Sequence, residues 1–218
     1  GYDMNFEKSM LRLYAVTDRT WLNGRTLEAV VEEALQAGVT MVQLREKSLP
    51  KEEFLQEALR LKEVCHRYHV PLLIDDDVEI CALADADGVH VGQSDMAIQK
   101  ARQILGPSKI IGATAHNTEE AVRAEKDGAD YLGSGAAFGS STKKDARPID
   151  RSEYRRITSS VHIPVCAIGG ITEGNIHLLE GSGLSGVAVI SGIFASGNIG
   201  ESCRHLLTGS DRLSNIPE

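Results

Sequence analysis

No cysteine pair with metal or redox spacing occurs in this chain, no apolar stretch has membrane length, and no basic stripe runs along any segment. Each absence removes a class of function. Cys65, Cys81, Cys166 and Cys203 are scattered and form no CxxC. They read as buried free thiols, two in helices and one in a strand, and not as a metal centre. That usage fits a reducing cytoplasm, and nothing resembles a signal peptide. Without roughly 20 consecutive apolar residues there is no membrane helix. A formal net charge of −8 argues against a nucleic-acid surface, which would need cations to displace phosphate counterions, although anions can still bind where the few basic residues converge. Linkers are missing as well: there is no Pro- or Ser-rich tract, no low-complexity segment and no composition break. With 42% hydrophobic and 25% charged residues, the 218 residues read as one domain around one core. Residues 1–10 read as an N-terminal extension, residues 11–208 as the domain and 209–218 as a tail, and the three residues before Met4 look like a cloning remnant.

What is present is a repeat of a different kind. Eight short apolar runs, at residues 11–16, 40–44, 71–74, 88–91, 109–113, 131–134, 164–168 and 186–190, each end in polar, charged or glycine residues. Between them lie amphipathic segments. Over 26–37 the apolar residues Leu27, Val30, Val31, Ala34 and Leu35 recur at helical spacing, and Gly38 stops the helix. Residues 52–68 carry the stripe Phe54, Leu55, Ala58, Leu61 and Cys65, and residues 118–126 open on a cap-like Thr-Glu-Glu. Alternating strands and helices give an α/β fold with a parallel sheet, and eight units predict a single closed (β/α)8 barrel. Active sites of that barrel sit on the loops after the strands, which is where the polar clusters fall. An open doubly wound sheet is the alternative, but it gathers ligand residues at one switch point.

In VQLREK, residues Gln43, Arg45 and Lys47 lie two apart and share a face while the chain stays extended. Two cations and an amide at a barrel mouth suit a phosphate or diphosphate, although the same string also suits a solvated basic turn. Asp75, Asp76 and Asp77 follow the third run and Asp95 the fourth. Carboxylates on neighbouring loops are what Mg²⁺ shared with a substrate phosphate requires; the plain alternatives are a solvated run and, for Asp95, a helix cap. The loop after the sixth run is the longest, with Gly133, Gly135 and Gly139 followed by Ser140, Thr142, Lys143 and Lys144, and reads as a lid or a surface loop. Gly169-Gly170 and Ser191-Gly192, after the last two runs, match the backbone phosphate cradle common in this fold. His116 is an acid/base candidate or a structural histidine. Thr17, Asp18 and Arg19 suggest an ion pair within that turn, supporting the mouth.

Taken together, the strings YAVTDR, VQLREK, DADGVHVGQSD, IIGATAH, DYLGSG with STKKDA, AIGGI and GVAVISGI resemble the thiamin phosphate synthase family in order and spacing, over about residues 11–193. The resemblance implies condensation of hydroxymethylpyrimidine diphosphate with a thiazole phosphate, giving thiamin phosphate and pyrophosphate with Mg²⁺. It places Asp76 and Asp95 on the metal. Arg45, Lys47, Ser140, Thr142 and Lys143 fall on the diphosphate, with Asp75 beside them. Gln43 and Thr114 come near the pyrimidine and leaving group, and Gly170, Ile190 and Ser191 fall on the thiazole phosphate. Lys143, Arg45 and Thr114 are the expected catalytic groups. The family's reaction is dissociative, so the site must stabilise departing negative charge and align two rings. Asp75 stands where the family usually carries Asn, which is expected to weaken diphosphate binding or shift metal preference. Thr114 and Ser140 each exchange one hydroxyl for another, and Ala136-Ala137 replaces a usual Pro. The partners implied are small molecules, with self-assembly into a homo-oligomer an additional expectation. Competing readings are the related thiazole tautomerase, which uses an acid/base His, a non-catalytic phosphate-ligand sensor, and an aldolase-type barrel, which needs a Schiff-base lysine inside a strand.

Overall fold

The computed structural model describes residues 4–139 and 149–215. Eight parallel strands close in chain order: β1 (Leu13–Val16), β2 (Met41–Leu44), β3 (Leu72–Asp75), β4 (Gly88–Val91), β5 (Ile110–Thr114), β6 (Tyr131–Ser134), β7 (Val165–Ile168) and β8 (Gly186–Val189). The ring shuts where Leu13 pairs with Val187 and Ala15 with Val189. The expected (β/α)8 barrel therefore stands, each strand lying within one or two residues of its apolar run. Around it lie α1 (Leu27–Gln36), α2 (Lys51–Arg67), α3 (Val78–Ala84), α4 (Asp95–Leu105), α5 (Thr118–Lys126), α6 (Arg151–Ser160), α7 (Ser191–Phe194) and α8 (Ile199–Ser210). None of the described helices is long and apolar enough to cross a membrane.

Local chemistry sets the helix ends. Thr26 accepts from Ala29 N at 3.1 Å to start α1, and Gly38, at φ 108°, ends the turn with its N–H on Leu35 O at 3.1 Å. The cap of α5 is Asn117, one residue ahead of the Thr-Glu-Glu string, accepting from Glu120 N at 2.9 Å. Ser94, and not Asp95, caps α4; Asp95 is that helix's first residue. Between β7 and β8 the alternation breaks. Only a 3-10 turn, Ile176–Leu179, stands there among the described residues. Gly181 and Gly183 hold positive φ in that stretch, and glycine's backbone entropy disfavours a longer helix.

Two apolar clusters result. The larger lies between strands and helices, and the smaller fills the barrel interior with Leu11, Tyr14, Met41, Leu73, Ile110 and Tyr131. Phe6 and Met10 pack against the interior cluster from below, next to a 3-10 turn at Lys8–Leu11, so the chain before β1 floors the barrel. At the other end α8 runs past position 208 to Ser210, and Leu213 is fully buried. All four cysteines are free and buried, with Cys65, Cys81 and Cys203 in α2, α3 and α8 and Cys166 in β7. Three are thus helical where two were expected, because the final helix takes in Cys203.

Candidate active site

Alternation along each strand decides which side chains enter the barrel. In β1 Tyr14 and Val16 point inward while Leu13 and Ala15 face the helices. The same rule brings Gln43, Arg45, Asp75, His90, Thr114 and Ile190 to one cavity of about 210 Å³ at the top of the interior, with Tyr14, Gly133 and Cys166 among its other walls. Five of the sequence-predicted residues meet there: Gln43, Arg45, Asp75, Thr114 and Ile190. A second, more open cavity of about 900 Å³ adjoins it, lined by Glu46, Lys47, Asp75, Asp76 and Lys100 among others. Asp75 lines both. Lys47 does not share the inner face with Gln43 and Arg45, since the strand ends at Leu44 and the chain turns outward.

The inner cavity carries a hydrogen-bonded chain. Gln43 Nε2 donates to Tyr14 Oη at 2.8 Å, and Tyr14 and Tyr131 hydroxyls lie 2.8 Å apart. Tyr131 Oη is 2.9 Å from His90 Nδ1, and His90 Nε2 is 3.1 Å from Thr114 Oγ1. Burial pushes both phenols well above their ordinary range and pulls the imidazole down to about 4, so all three groups are neutral. Space for them comes from glycine: a Cβ on Gly112 would overlap the Tyr131 ring, and one on Gly133 would lie 3.2 Å from His90 Cε1. Tyr14, His90 and Tyr131 are absent from the sequence-derived site. His90 had a signal, a lone histidine at an inward step of the apolar run GVHV; the two tyrosines read as ordinary strand residues.

The three aspartates separate. Asp75 is the last residue of β3 and not part of the loop, and burial, opposed by Arg45 and reinforced by Asp76, raises its carboxyl above the usual range. Asp76 takes a left-handed backbone, φ 64°, with its N–H on His90 O at 2.8 Å. That conformation costs a non-glycine residue about 1 kcal/mol and turns this carboxylate to the outer cavity. Asp77 caps α3, accepting from Ile80 N at 2.9 Å. Among the described residues, Arg45, Lys47, Asp75 and Asp76 form no ion pair, whereas Arg19 binds Glu46 at 2.7 Å and Arg60 binds Glu57 at 2.6 Å. The ion pair expected within Thr17–Arg19 is therefore not made. Asp18 Oδ1 instead takes the Thr20 N–H at 2.7 Å, and Thr17 Oγ1 takes the Arg45 N–H at 3.1 Å.

Gly170 has φ 65° and its carbonyl accepts from Asn175 Nδ2 at 2.8 Å; a Cβ there would lie 2.9 Å from Phe138 O. Ser191 opens α7 directly after Ile190. The long loop is pinned at both described ends, Phe138 N to Gly169 O at 2.9 Å and Ile149 N to Ala136 O at 2.8 Å. Ser140, Thr142, Lys143 and Lys144 lie outside the described residues, and for Asp95 only the backbone position is described. His116 stands outside both cavities, half exposed, with Nδ1 2.8 Å from Glu120 Oε1. No group of three or more His, Cys, Asp or Glu converges as a metal cage among the described residues.

A family model described as "Thiamine monophosphate synthase" matches residues 13–193. A thiamine-phosphate synthase from Clostridium acetobutylicum is 48% identical over 193 residues, covering 88% of this chain and 92% of the relative. Its counterpart from Fusobacterium nucleatum subsp. nucleatum is 45% identical over 196 residues, 90% and 95% of the two chains. Among solved structures, a thiamine phosphate pyrophosphorylase from Pyrococcus furiosus superposes with a TM-score of 0.85 at 37% identity, covering 94% of this chain and 98% of that one.

Proposed function

The chain belongs to the thiamine monophosphate synthase family, and we propose that its barrel mouth transfers a pyrimidine-methyl group from hydroxymethylpyrimidine diphosphate to a thiazole phosphate, releasing pyrophosphate. It is a transferase acting on small molecules. One observation carries the reading: a pocket walled by the neutral hydrogen-bonding groups of Gln43, Tyr14, His90 and Thr114 opens, across Asp75, onto a cavity where Lys47 and Asp76 have no ion-pair partner among the described residues. A ring with a diphosphate tail has that division of chemistry. The pyrimidine lies against Gln43 and Thr114 in the inner cavity. Its diphosphate meets Arg45 and Lys47, joined by Ser140, Thr142 and Lys143 from the long loop. The thiazole phosphate rests on backbone N–H groups at Gly170, Ile190 and Ser191.

Bond breaking in such a reaction asks for charge stabilisation and alignment and little acid–base work. Arg45 and Lys143 stabilise the leaving oxygens, Thr114 supplies a hydroxyl beside them, and the barrel walls align the rings. Asp76 supplies a hard oxygen donor facing the outer cavity with no ion-pair partner among the described residues, and Asp95 begins the neighbouring helix. These residues fit Mg²⁺, which takes one or two carboxylates and completes its shell from phosphate and water. Bound there, Mg²⁺ would neutralise the diphosphate charge. On the same reading the barrel is one domain that takes in its floor at Phe6 and Met10 and the buried Leu213, working in the cytoplasm, where its four thiols stay reduced. Sedimentation tests its assembly into a homo-oligomer.

The test is turnover. Protein, the pyrimidine diphosphate, the thiazole phosphate and Mg²⁺ yield thiamin phosphate, read as fluorescent thiochrome after oxidation. Product that vanishes with EDTA and returns with Mg²⁺ is expected. Folded protein that makes none while thiazole phosphate still raises its melting temperature would overturn the reading in favour of a tautomerase or a sensor.

A further inference from the structure

Tyr14, Tyr131 and His90 have no part in holding diphosphate, metal or phosphate, yet they join Gln43 to Thr114 without a gap. The four bonds measure 2.8, 2.8, 2.9 and 3.1 Å. Each phenol and the neutral imidazole has one proton to give and one lone pair for this chain. The direction of any bond therefore fixes the next. With Gln43 Nε2 donating to Tyr14, Tyr14 donates to Tyr131, Tyr131 to His90 Nδ1, and His90 Nε2–H to Thr114. Gln43 Oε1 is left as an acceptor at one end and the Thr114 hydroxyl proton as a donor at the other, in the same cavity. Turning the Gln43 amide over reverses every bond: Gln43 then donates to a ligand and Thr114 accepts. The two ends are never both donors or both acceptors unless a buried group is orphaned, which costs about 1–3 kcal/mol.

We propose that Tyr14, Tyr131 and His90 are specificity-determining positioning residues that give Gln43 and Thr114 opposite hydrogen-bonding polarity, so that the cavity admits only a ring donating to one and accepting from the other. This rests on the proposed function, which seats the pyrimidine here. That ring has such a pair, an exocyclic amino group for Gln43 Oε1 and a ring nitrogen for the Thr114 proton. The oxo counterpart, with a carbonyl and a ring N–H, carries the inverse pair and enters only with the whole chain reversed. A ring whose amino group is replaced by methoxy offers two acceptors and fits neither state.

The experiment measures binding of the free hydroxymethyl aminopyrimidine and its methoxy counterpart by calorimetry, in the parent, Tyr131→Phe and Tyr14→Phe. The parent is expected to prefer the amino ring by about 10–100-fold. Either variant cuts the chain and lowers that preference by about 10-fold, a ratio in which the extra bulk of methoxy cancels. Nitrogen NMR of the His90 ring gives a second readout: the proton sits on Nε2 in the free protein and with the amino ring, and moves to Nδ1 with the oxo ring. An unchanged preference in a folded variant, or one tautomer throughout, overturns the proposal. So does a cavity that binds neither ring, and turnover by the same sample then distinguishes this failure from failure of the proposed reaction.

Discussion

Gly112→Ala is a one-carbon change with a calculable consequence. Gly112 is paired on both sides, with His90 of β4 and with Tyr131 of β6, so its backbone cannot retreat. The new methyl would overlap the zeta and epsilon carbons and the hydroxyl of Tyr131. That ring is confined by Phe6 stacked at 5.6 Å, Tyr14 edge-on at 5.8 Å and His90 at 5.6 Å. Something must move, and overpacking of this kind costs about 1–3 kcal/mol. A displaced Tyr131 also forfeits two hydrogen bonds worth about 0.5–1.5 kcal/mol each. The sum, about 2–6 kcal/mol, is a large share of the roughly 5–15 kcal/mol available to a domain. At about 2–4 °C per kcal/mol for this length, the melting temperature should fall by about 5–20 °C. Urea unfolding followed by circular dichroism gives the free energy, and calorimetry the temperature. Adding Tyr131→Leu empties the space the methyl needs, so the double variant should lose less than the two single losses combined. A Gly112→Ala protein within about 0.5 kcal/mol of the parent, or strictly additive losses, would refute the argument.

Asp75→Asn removes a half-buried carboxylate beside Asp76, and like charges a few ångström apart near a surface repel by about 1–4 kcal/mol; tighter pyrophosphate binding by calorimetry is expected, and unchanged affinity and metal profile would sink the idea. Gly170→Ala forces a side chain to φ 65° with its Cβ 2.9 Å from Phe138 O; a loss of about 1–2 kcal/mol in stability and weaker thiazole phosphate binding are expected, the latter seen as a smaller ligand-induced rise in melting temperature. His90 sets a pH dependence. Its imidazolium is held down to about 4 against an unfolded value near 6.5. The unfolded chain therefore takes up a proton first, and stability should fall as pH drops from about 6.5 towards 4, a slope that His90→Asn diminishes in melting curves. His116→Ala, outside both cavities, should leave thiochrome-detected turnover within about threefold of the parent; near-total loss would instead point to tautomerase chemistry.

The barrel was legible because strands covered on both faces must be short and rich in Val, Ile and Leu, and each of the eight announces itself locally. The exception shows the limit of local reading. Between β7 and β8 the sequence changes from an amphipathic pattern to a glycine-rich one, and the chain crosses with a single 3-10 turn. In the site, Arg45 and Asp75 stood out from charge and spacing and Thr114 only through the family resemblance, and all three line the inner cavity. Lys47 went elsewhere because the two-residue period holds only while the strand lasts, and β2 ends at Leu44. The TDR turn failed for another reason: Arg19 finds Glu46 across the next loop, a partner that proximity in sequence does not suggest. The polar chain was invisible in principle. Tyr14 and Tyr131 are 117 positions apart, and only closure of the sheet sets their hydroxyls in contact.

The glycines explain why this barrel has a pocket where others have a packed layer. Barrel interiors are normally filled by layers of branched side chains from alternate strands. Here the lower half obeys that rule with Leu11, Met41, Leu73 and Ile110, floored by Phe6 and Met10. Higher up, Gly112 and Gly133 remove two side chains, and their space goes to Tyr131 and to His90. Rings that fill a cavity sideways leave its top unoccupied, and they bring hydroxyl and imidazole groups where aliphatic ones would have packed. Such groups are tolerated only if each finds a partner, since an orphan costs about 1–3 kcal/mol. The chain from Gln43 to Thr114 is the way they do so. It follows that pocket and polarity are one feature: a bulkier residue at Gly112 cannot fill the cavity without also breaking the bonds that orient Gln43 and Thr114, and one at Gly133 crowds the His90 ring in the same chain.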